Sequence, residues 1–156
     1  MLRPATLSDL DDVASWITGK RDCELWAGWR VSFPIDRTGL PSAIDFAGTN
    51  AFALVDGDQL VAFGQLISKQ SRRGHLARLI VNPSLRGKGH GEALVRGLLE
   101  KARAEAFEPA SLNVDESNLR AVTLYLKLGF QDAMRPPDEP ESSGTRYMES
   151  RLAPQP

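Results

Sequence analysis

Apolar residues recur at helical spacing in three segments of the chain. The first follows Ser8, a helix-capping residue, and ends at Gly19. The second begins near Glu92, and the third, residues 118–128, is followed by Gly129, a residue typical of helix C-termini. We therefore predict three amphipathic helices. The apolar positions are Leu10, Val13, Ala14 and Ile17 in the first and Leu94, Val95, Leu98, Leu99 and Ala102 in the second.

Shorter apolar runs predict seven strands, and a tight turn joins two of them. Asp56-Gly57-Asp58 separates residues 51–55 from residues 60–68, which is typical of a β-hairpin. A third run ends at Val81, where Asn82-Pro83 stops it. The other predicted strands are residues 2–6, 111–115, 130–134 and 145–152.

Three segments show neither helical spacing nor a clear apolar run. Residues 21–34 are rich in aromatic side chains and are expected to be irregular, and a short helix is expected over residues 41–47. Residues 136–144, between the last two strands, are rich in proline and acid and predict a mobile loop.

The order of these elements is β-α-α-β-β-β-α-β-α-β-β. Three consecutive strands precede the long helix, so the pattern excludes a doubly wound parallel sheet. We predict an α/β fold with a mixed sheet and about four helices on its two faces. A length of 156 residues suits a single domain, here 1–152, with residues 153–156 as a tail.

Composition narrows the function classes. A net charge of −1 gives no global attraction to nucleic acid, and no apolar run is long enough to span a bilayer. The N-terminus has no secretory signal pattern, so we expect a cytoplasmic protein without a membrane partner. Cys23 is the single cysteine, which rules out an internal disulfide, and the two histidines lack the neighbours of a metal site.

The most informative chemistry lies in residues 86–91, Arg-Gly-Lys-Gly-His-Gly, between the strand ending at Val81 and the second long helix. The first N–H groups of a helix have no intrahelical partner, and glycine lets the backbone approach an anion closely. The segment therefore predicts a pyrophosphate cradle. The Walker pattern G-x-x-x-x-G-K-[ST] is absent, and a G-x-G-x-x-G fingerprint does not fit because its third glycine position holds Glu92 or Leu94.

The remaining pattern, R-x-x-G-x-G, resembles the acetyl-CoA loop of the GNAT superfamily of N-acetyltransferases. Residues 118–130 are similar to the signature N-x-x-A-x-x-x-Y-x-x-x-G-F of that superfamily. The opening residues 2–6 with Asp9 also look like the start of such a domain. The resemblance covers residues 1–152 and implies a GNAT-like fold with a splayed strand at the cofactor site.

The resemblance also implies roles for individual positions. Leu79, Ile80 and Val81 match the splayed strand that pairs with the pantetheine arm, and Tyr125 matches the general acid, although core packing is an alternative for it. Asn118 matches a cofactor-contacting residue and could equally cap a helix. The implied cosubstrate is acetyl-CoA, without a metal, and its implied cradle is Arg86, Gly87, Lys88, Gly89, His90, Gly91 and Glu92.

One departure concerns the base. Some members carry a glutamate where this chain has Asn113, and an amide cannot take a proton. Glu24, Asp115, Glu116 or a water chain could replace it, and an acceptor with a low amine pKa would need less help. The acceptor side is expected to contain Glu24, Trp26, Trp29 and Asn113, around a small amine, an amino acid or a peptide N-terminus.

Two other functions fit part of the sequence. A CoA-binding sensor that has lost catalysis is compatible with Asn113. A nucleic-acid binder would use the basic residues near the glycine loop, but these suit the phosphates of a cofactor better. Homodimers are common in this fold, and no motif of the chain fixes an interface.

Overall fold

A mixed sheet forms the centre of the computed structural model, which describes residues 1–152. The predicted tail, 153–156, lies outside the described residues. Within them the sheet has seven strands. They are β1 (Leu2–Pro4), β2 (Asn50–Asp56), β3 (Gln59–Ser68), β4 (Gly74–Val81), β5 (Ala110–Asp115), β6 (Gln131–Asp132) and β7 (Thr145–Ser150).

Five α-helices flank the sheet in this part of the chain, one more than predicted. They are α1 (Leu7–Trp16), α2 (Lys20–Ala27), α3 (Leu40–Ala43), α4 (His90–Ala104) and α5 (Leu119–Lys127). Among these helices, none is both long and apolar enough for a membrane crossing.

The strand order is β1-β2-β3-β4-β5-β7-β6, and β4–β5 is the one parallel pair among the described strands. Alternate side chains of β2 enter different cores. Phe52 and Leu54 pack with α4 and α5, whereas Ala51 and Ala53 pack with α1, α2 and α3. The predicted mixed sheet with helices on both faces is therefore confirmed.

The β4–β5 pair is short. Residues Gly74–Leu76 of β4 pair with Ala110–Leu112 of β5, but β4 continues to Val81. The pairing of β4 with β3 also shifts register near Phe63, and Arg78 adopts a left-handed φ of 49°. The central strand therefore bulges on one side and is free of β5 on the other from residue 77 onward.

Two predictions around the first helix are wrong. Thr6 caps α1 rather than Ser8, because the Asp9 carboxylate accepts a 2.7 Å hydrogen bond from the Thr6 amide. Gly19 precedes a second helix instead of ending the first, so the segment expected to be irregular contains α2. The helix α2 has only eight residues and buries only Cys23, Trp26 and Ala27, so its sequence shows little helical periodicity.

Several predicted boundaries also move. The short helix α3 spans Leu40–Ala43, less than the predicted 41–47, and α4 starts at His90 rather than near Glu92. The sixth strand is only Gln131–Asp132, within the predicted 130–134.

Candidate active site

The glycine loop lies between β4 and α4, as predicted. Gly87 and Gly89 have φ values of 81° and 86°, a region that side-chain-bearing residues rarely adopt. A Cβ added at either position would meet no atom within 4 Å, so the backbone there borders open space. The 15-residue helix α4 starts directly after Gly89 and aims its unpaired N–H groups at this space. The arrangement suits an anion such as a pyrophosphate.

A cleft of about 500 Å³ extends from this loop along β4. It brings together almost all residues for which the sequence predicts cofactor contact. Lys88 is the exception, because it is exposed and does not line the cleft. The predicted residues that line it are Leu79, Ile80, Val81, Arg86, Gly87, Gly89, His90, Gly91, Glu92, Asn118 and Tyr125.

Glu92 is an acid beside a predicted phosphate site. Lys127 on α5 contacts its carboxylate at 2.6 Å, and Arg96 approaches it at 3.5 Å. The hydrogen bond with Lys127 holds the pKa of Glu92 below its usual range. Its negative charge is therefore balanced by one cation of its own helix and one of α5.

Tyr125 combines a core position with access to the cleft. Its ring is 8% exposed and packs edge-on against Phe130, with 5.9 Å between ring centroids. Burial raises the pKa of the phenol to about 12, so it stays protonated at neutral pH. Within residues 1–152 the hydroxyl makes no hydrogen bond to protein, which leaves it available to a ligand.

Asn118 occupies the N-cap of α5. Its side-chain oxygen accepts a 3.4 Å hydrogen bond from the Ala121 amide, and the residue also lines the cleft. The two alternatives of capping and ligand contact are therefore compatible in one geometry.

A second cavity, of about 830 Å³, lies on the other side of α2. It brings together the four residues predicted for the acceptor side, Glu24, Trp26, Trp29 and Asn113. The two tryptophans differ strongly, since Trp26 is buried and Trp29 is 79% exposed.

The cleft and the cavity meet at Trp26. Leu25 and Trp26 line both spaces, and the Trp26 indole donates a 2.9 Å hydrogen bond to the carbonyl oxygen of Arg78. Along β4, residues 75–78 line the cavity and residues 79–81 line the cleft. A ligand in each space would therefore meet its neighbour where β4 bulges.

Sequence analysis missed Glu139, which lies in the acidic loop between β6 and β7. Its side chain is only 6% exposed, and its carboxylate accepts a 2.8 Å hydrogen bond from the Asn113 amide. Lys69 and Arg73 lie 3.4 and 3.5 Å from the same carboxylate. The only hint in the sequence is an acid between prolines in an otherwise polar loop, and nothing there ties it to Asn113.

Electrostatics keeps Glu139 ionised. Burial acts to raise its pKa, but the charge that His75 carries when it is protonated, the hydrogen bond from Asn113 and the cations Lys69 and Arg73 together lower it below the usual range. His75 itself is buried, and desolvation lowers its pKa to about 4. Its Nδ1 lies 2.7 Å from the Ser111 hydroxyl. At neutral pH this corner of the cavity therefore contains a neutral imidazole and a carboxylate with two cations.

Two further observations concern metal-ligating and nucleophilic side chains in the described part of the chain. Residues 1–152 contain no group of three or more histidine, cysteine or acidic side chains placed to hold a metal ion. Cys23 is 1% exposed, and burial raises the pKa of its thiol, which makes it a poor nucleophile.

Comparison with known proteins agrees with this geometry. A family model described as the acetyltransferase (GNAT) family matches residues 16–130. An uncharacterized N-acetyltransferase of Bacillus subtilis, YobR, is 38% identical over 79 residues, which are 51% of this chain and 32% of that protein. The chain covers 32%, 40% and 48% of the lengths of three curated relatives that it matches.

Solved structures share the fold. Spermidine N-acetyltransferase from Vibrio cholerae, in complex with CoA and spermine, superposes with a TM-score of 0.77 at 19% identity, over 98% of this chain and 95% of that one. The ribosomal-protein-S18-alanine N-acetyltransferase of Escherichia coli gives a TM-score of 0.71 at 22% identity, over 100% and 96% of the two chains.

Proposed function

Because this chain belongs to the acetyltransferase (GNAT) family, we propose that it transfers the acetyl group of acetyl-CoA to a primary amine by direct attack in a ternary complex. One observation carries the proposal. The cleft that contains the glycine cradle and Tyr125 meets the second cavity at Trp26, so two substrates can approach each other from opposite sides of α2. Residues 1–152 are proposed to form one catalytic domain.

The first cleft is proposed to bind acetyl-CoA. The pyrophosphate would lie on the backbone of Gly87 and Gly89 at the N-terminus of α4, with Arg86 adding positive charge. The pantetheine arm would follow residues 79–81, where β4 has no partner on β5. The chain fits this ligand, because a Cβ at either glycine would project into the space that the phosphates need.

The chemistry follows from the groups at the junction. The neutral amine attacks the thioester carbonyl, a C–N bond forms, and the C–S bond breaks. A backbone N–H near Leu79 or Ile80 would stabilise the oxyanion. Tyr125 would donate its proton to the departing thiolate; its raised pKa of about 12 keeps the phenol protonated at neutral pH until the thiolate forms. The proton lost from the attacking nitrogen restores the phenol, either directly or by exchange through solvent.

Two carboxylates of the cavity, Asp115 and Glu139, are poor bases. Asp115 has its pKa lowered by hydrogen bonds from Ser117, and Glu139 is also held below its usual range. A base with a low pKa has little tendency to take a proton from an ammonium group. This supports an acceptor whose amine is partly neutral at the working pH, such as an α-amine.

Calorimetric titration of acetyl-CoA into the protein tests the cradle. We expect micromolar binding to the wild type and none to the double variant Arg86→Ala, Gly89→Glu. Gly57→Glu is the matched control, because Gly57 also has a positive φ, 61°, and borders open space, but lies in a distant hairpin. Equal binding by the double variant, or none by the wild type, would refute the cradle.

Transfer is tested by release of free thiol over a panel of amines and peptide N-termini. Acetyl-CoA binding with no release for any amine would favour a CoA-binding sensor instead.

A further inference from the structure

Five lysine and arginine side chains line the second cavity, together with four acids, Glu24, Asp115, Glu139 and Glu141. Two of its five basic residues are neutralised, since Arg21 lies 3.2 Å from Asp115 and Lys69 lies 3.4 Å from Glu139. Among the described residues, no carboxylate lies within ion-pair distance of Lys20, Arg30 or Arg78, which also line the cavity.

Arg78 is the most strongly positioned of these three. Its Nε donates to the side-chain oxygen of Gln65, a residue with no exposed surface. The amide nitrogen of Gln65 is in turn fixed by the Ile44 carbonyl at 2.9 Å and the Thr49 hydroxyl at 2.6 Å. The backbone of Arg78 is held by Trp26 through its carbonyl. The guanidinium is therefore held in position through its Nε by a buried side chain.

The other end of the guanidinium has no partner. Within residues 1–152, neither terminal nitrogen of Arg78 donates a hydrogen bond to a protein group, although the side chain is half-buried. Burial lowers the pKa of Arg78 to about 10, the nearby charge of Arg30 acts in the same direction, and the charge of Asp45 acts against them. The group still carries its proton at neutral pH. A desolvated cation with free donors is best stabilised by an anion, and its planar fork matches a carboxylate.

The position of Arg78 links this anion site to the reaction. Arg78 is the last residue of β4 that lines the second cavity, and Leu79, the next residue, lines the first cleft. An anionic group held by Arg78 would therefore belong to a molecule whose amine lies close to the proposed acetyl group.

We propose that Arg78 binds a carboxylate of the acceptor, so that the natural acceptor is an amino-acid-type amine rather than a polyamine. The inference rests on the proposed function and names its substrate class. Arg30 adds positive potential, held 5.1 Å from the ring centre of Trp29 at the cavity wall. Because neither arginine has a carboxylate within ion-pair distance among the described residues, this part of the cavity favours the carboxylate of a zwitterion over a polycation.

The test compares matched acceptors by thiol release. Each of the twenty amino acids is paired with its own carboxamide, and spermidine is added as a polycation. We expect higher kcat/KM for at least one amino acid than for its amide, although the amide has the less basic amine. Arg78→Gln should lower kcat/KM for that amino acid by about 10–100-fold, the range for a charge-assisted hydrogen bond, through a higher KM. The same variant should change the rate with the amide little.

Two variants serve as controls. Arg21→Gln removes a cation of the same cavity that Asp115 already neutralises, and it should keep the wild-type ratio between acid and amide. Arg78→Lys keeps the positive charge but loses the planar guanidinium group, so its kcat/KM for the amino acid should lie between the values of the wild type and Arg78→Gln. If Arg78→Gln does not fold, Arg78→Lys serves as the test variant. The difference in amine basicity does not affect the comparison between proteins, because the same amino acid and carboxamide are used with every variant.

The outcomes separate the two proposals. Acetyl-CoA binding together with a preference for amides, spermidine or peptides that Arg78→Gln leaves unchanged overturns the role of Arg78 and spares the acetyltransferase. Acetyl-CoA binding without acetylation of any of the twenty amino acids also overturns it. Failure to bind acetyl-CoA overturns the proposed function itself.

Discussion

The Arg73 guanidinium donates a 2.7 Å hydrogen bond to the Asp138 carboxylate across 65 positions of the chain. Arg73 also donates to the Ser111 hydroxyl at 2.8 Å, and its side chain is only 4% exposed. This contact fastens the loop between β6 and β7 to the centre of the sheet. Residues 139–143 of that loop line the second cavity, so the same contact fixes one of its walls.

Removing this anchor should destabilise the protein. Arg73→Met leaves the buried carboxylate of Glu139 with one cation fewer, and we expect the free energy of unfolding to fall by about 3 kcal/mol. Urea denaturation measures it. Arg37→Met is the control, since Arg37 is exposed and lies 3.9 Å from Asp11, and it should change stability by less than about 0.5 kcal/mol. Equal effects of the two substitutions would contradict the anchoring role.

Tyr125→Phe should separate catalysis from binding. The ring still packs on Phe130, so we expect unchanged acetyl-CoA affinity and a kcat lower by roughly 100-fold, typical for loss of a general acid. Steady-state kinetics with titration calorimetry checks both quantities. Tyr147→Phe is the comparison, because that hydroxyl donates to Glu149 outside the cleft. A fully active Tyr125→Phe enzyme would exclude the phenol as the acid.

His75 predicts how stability depends on pH. Its pKa is about 4 in the folded protein and about 6.5 when unfolded, so below pH 6.5 the unfolded chain binds the extra proton first. Stability should therefore be complete above pH 6.5 and fall by up to about 3 kcal/mol as the pH drops toward 4.

The corresponding measurement is thermal unfolding between pH 4.5 and 6.5. His75→Gln should flatten the slope in this range, while His90→Gln, in the glycine loop, should keep it. The lowered pKa of Glu139 stabilises the folded protein, and this contribution is lost only as the pH falls into and below the usual glutamate range. The two groups therefore change stability mainly in different pH ranges. An unchanged slope in His75→Gln would show that another group dominates.

Gly64 offers a test of how closely β4 is packed. A Cβ there would lie 2.7 Å from the end of the Leu79 side chain and 3.0 Å from that of Leu98. Gly64→Ala should push Leu79 toward the cleft, lower stability by about 1–2 kcal/mol and weaken acetyl-CoA binding. Gly19→Ala, where no atom lies within 4 Å, should leave acetyl-CoA binding unchanged and cost at most about 1 kcal/mol of stability, because Gly19 is the N-cap of α2. Denaturation and calorimetry on the pair decide the question.

Contiguous features could be predicted from the sequence, and contacts distant in the chain could not. The glycine loop and α4 follow one another directly, so their spacing predicts an anion-binding turn, and the resemblance to the GNAT superfamily implies most of the residues that line the cleft. Lys88 shares that loop, but neighbouring residues in a turn face different directions, and this one faces away from the cleft. The short helix α2 was missed because eight residues hold barely two turns of a pattern.

The acceptor side shows the limit more clearly. Asn113 and Glu139 are 26 positions apart, and their contact depends on how β5, β7 and the preceding loop align. Arg78 has a sequence context like any basic residue in a strand. That its two terminal nitrogens have no protein partner can be recognised only from the hydrogen bonds and ion pairs of the folded structure.

The short seam between β4 and β5 also has a mechanical consequence. Three residue pairs join a four-stranded half of the sheet to a three-stranded half. A ligand arm that pairs with β4 beyond Leu76 and contacts α5 would act as a splint across this seam. Binding of the cosubstrate would then stiffen the whole molecule, because the ligand supplies the hydrogen bonds to β4 that β5 does not make.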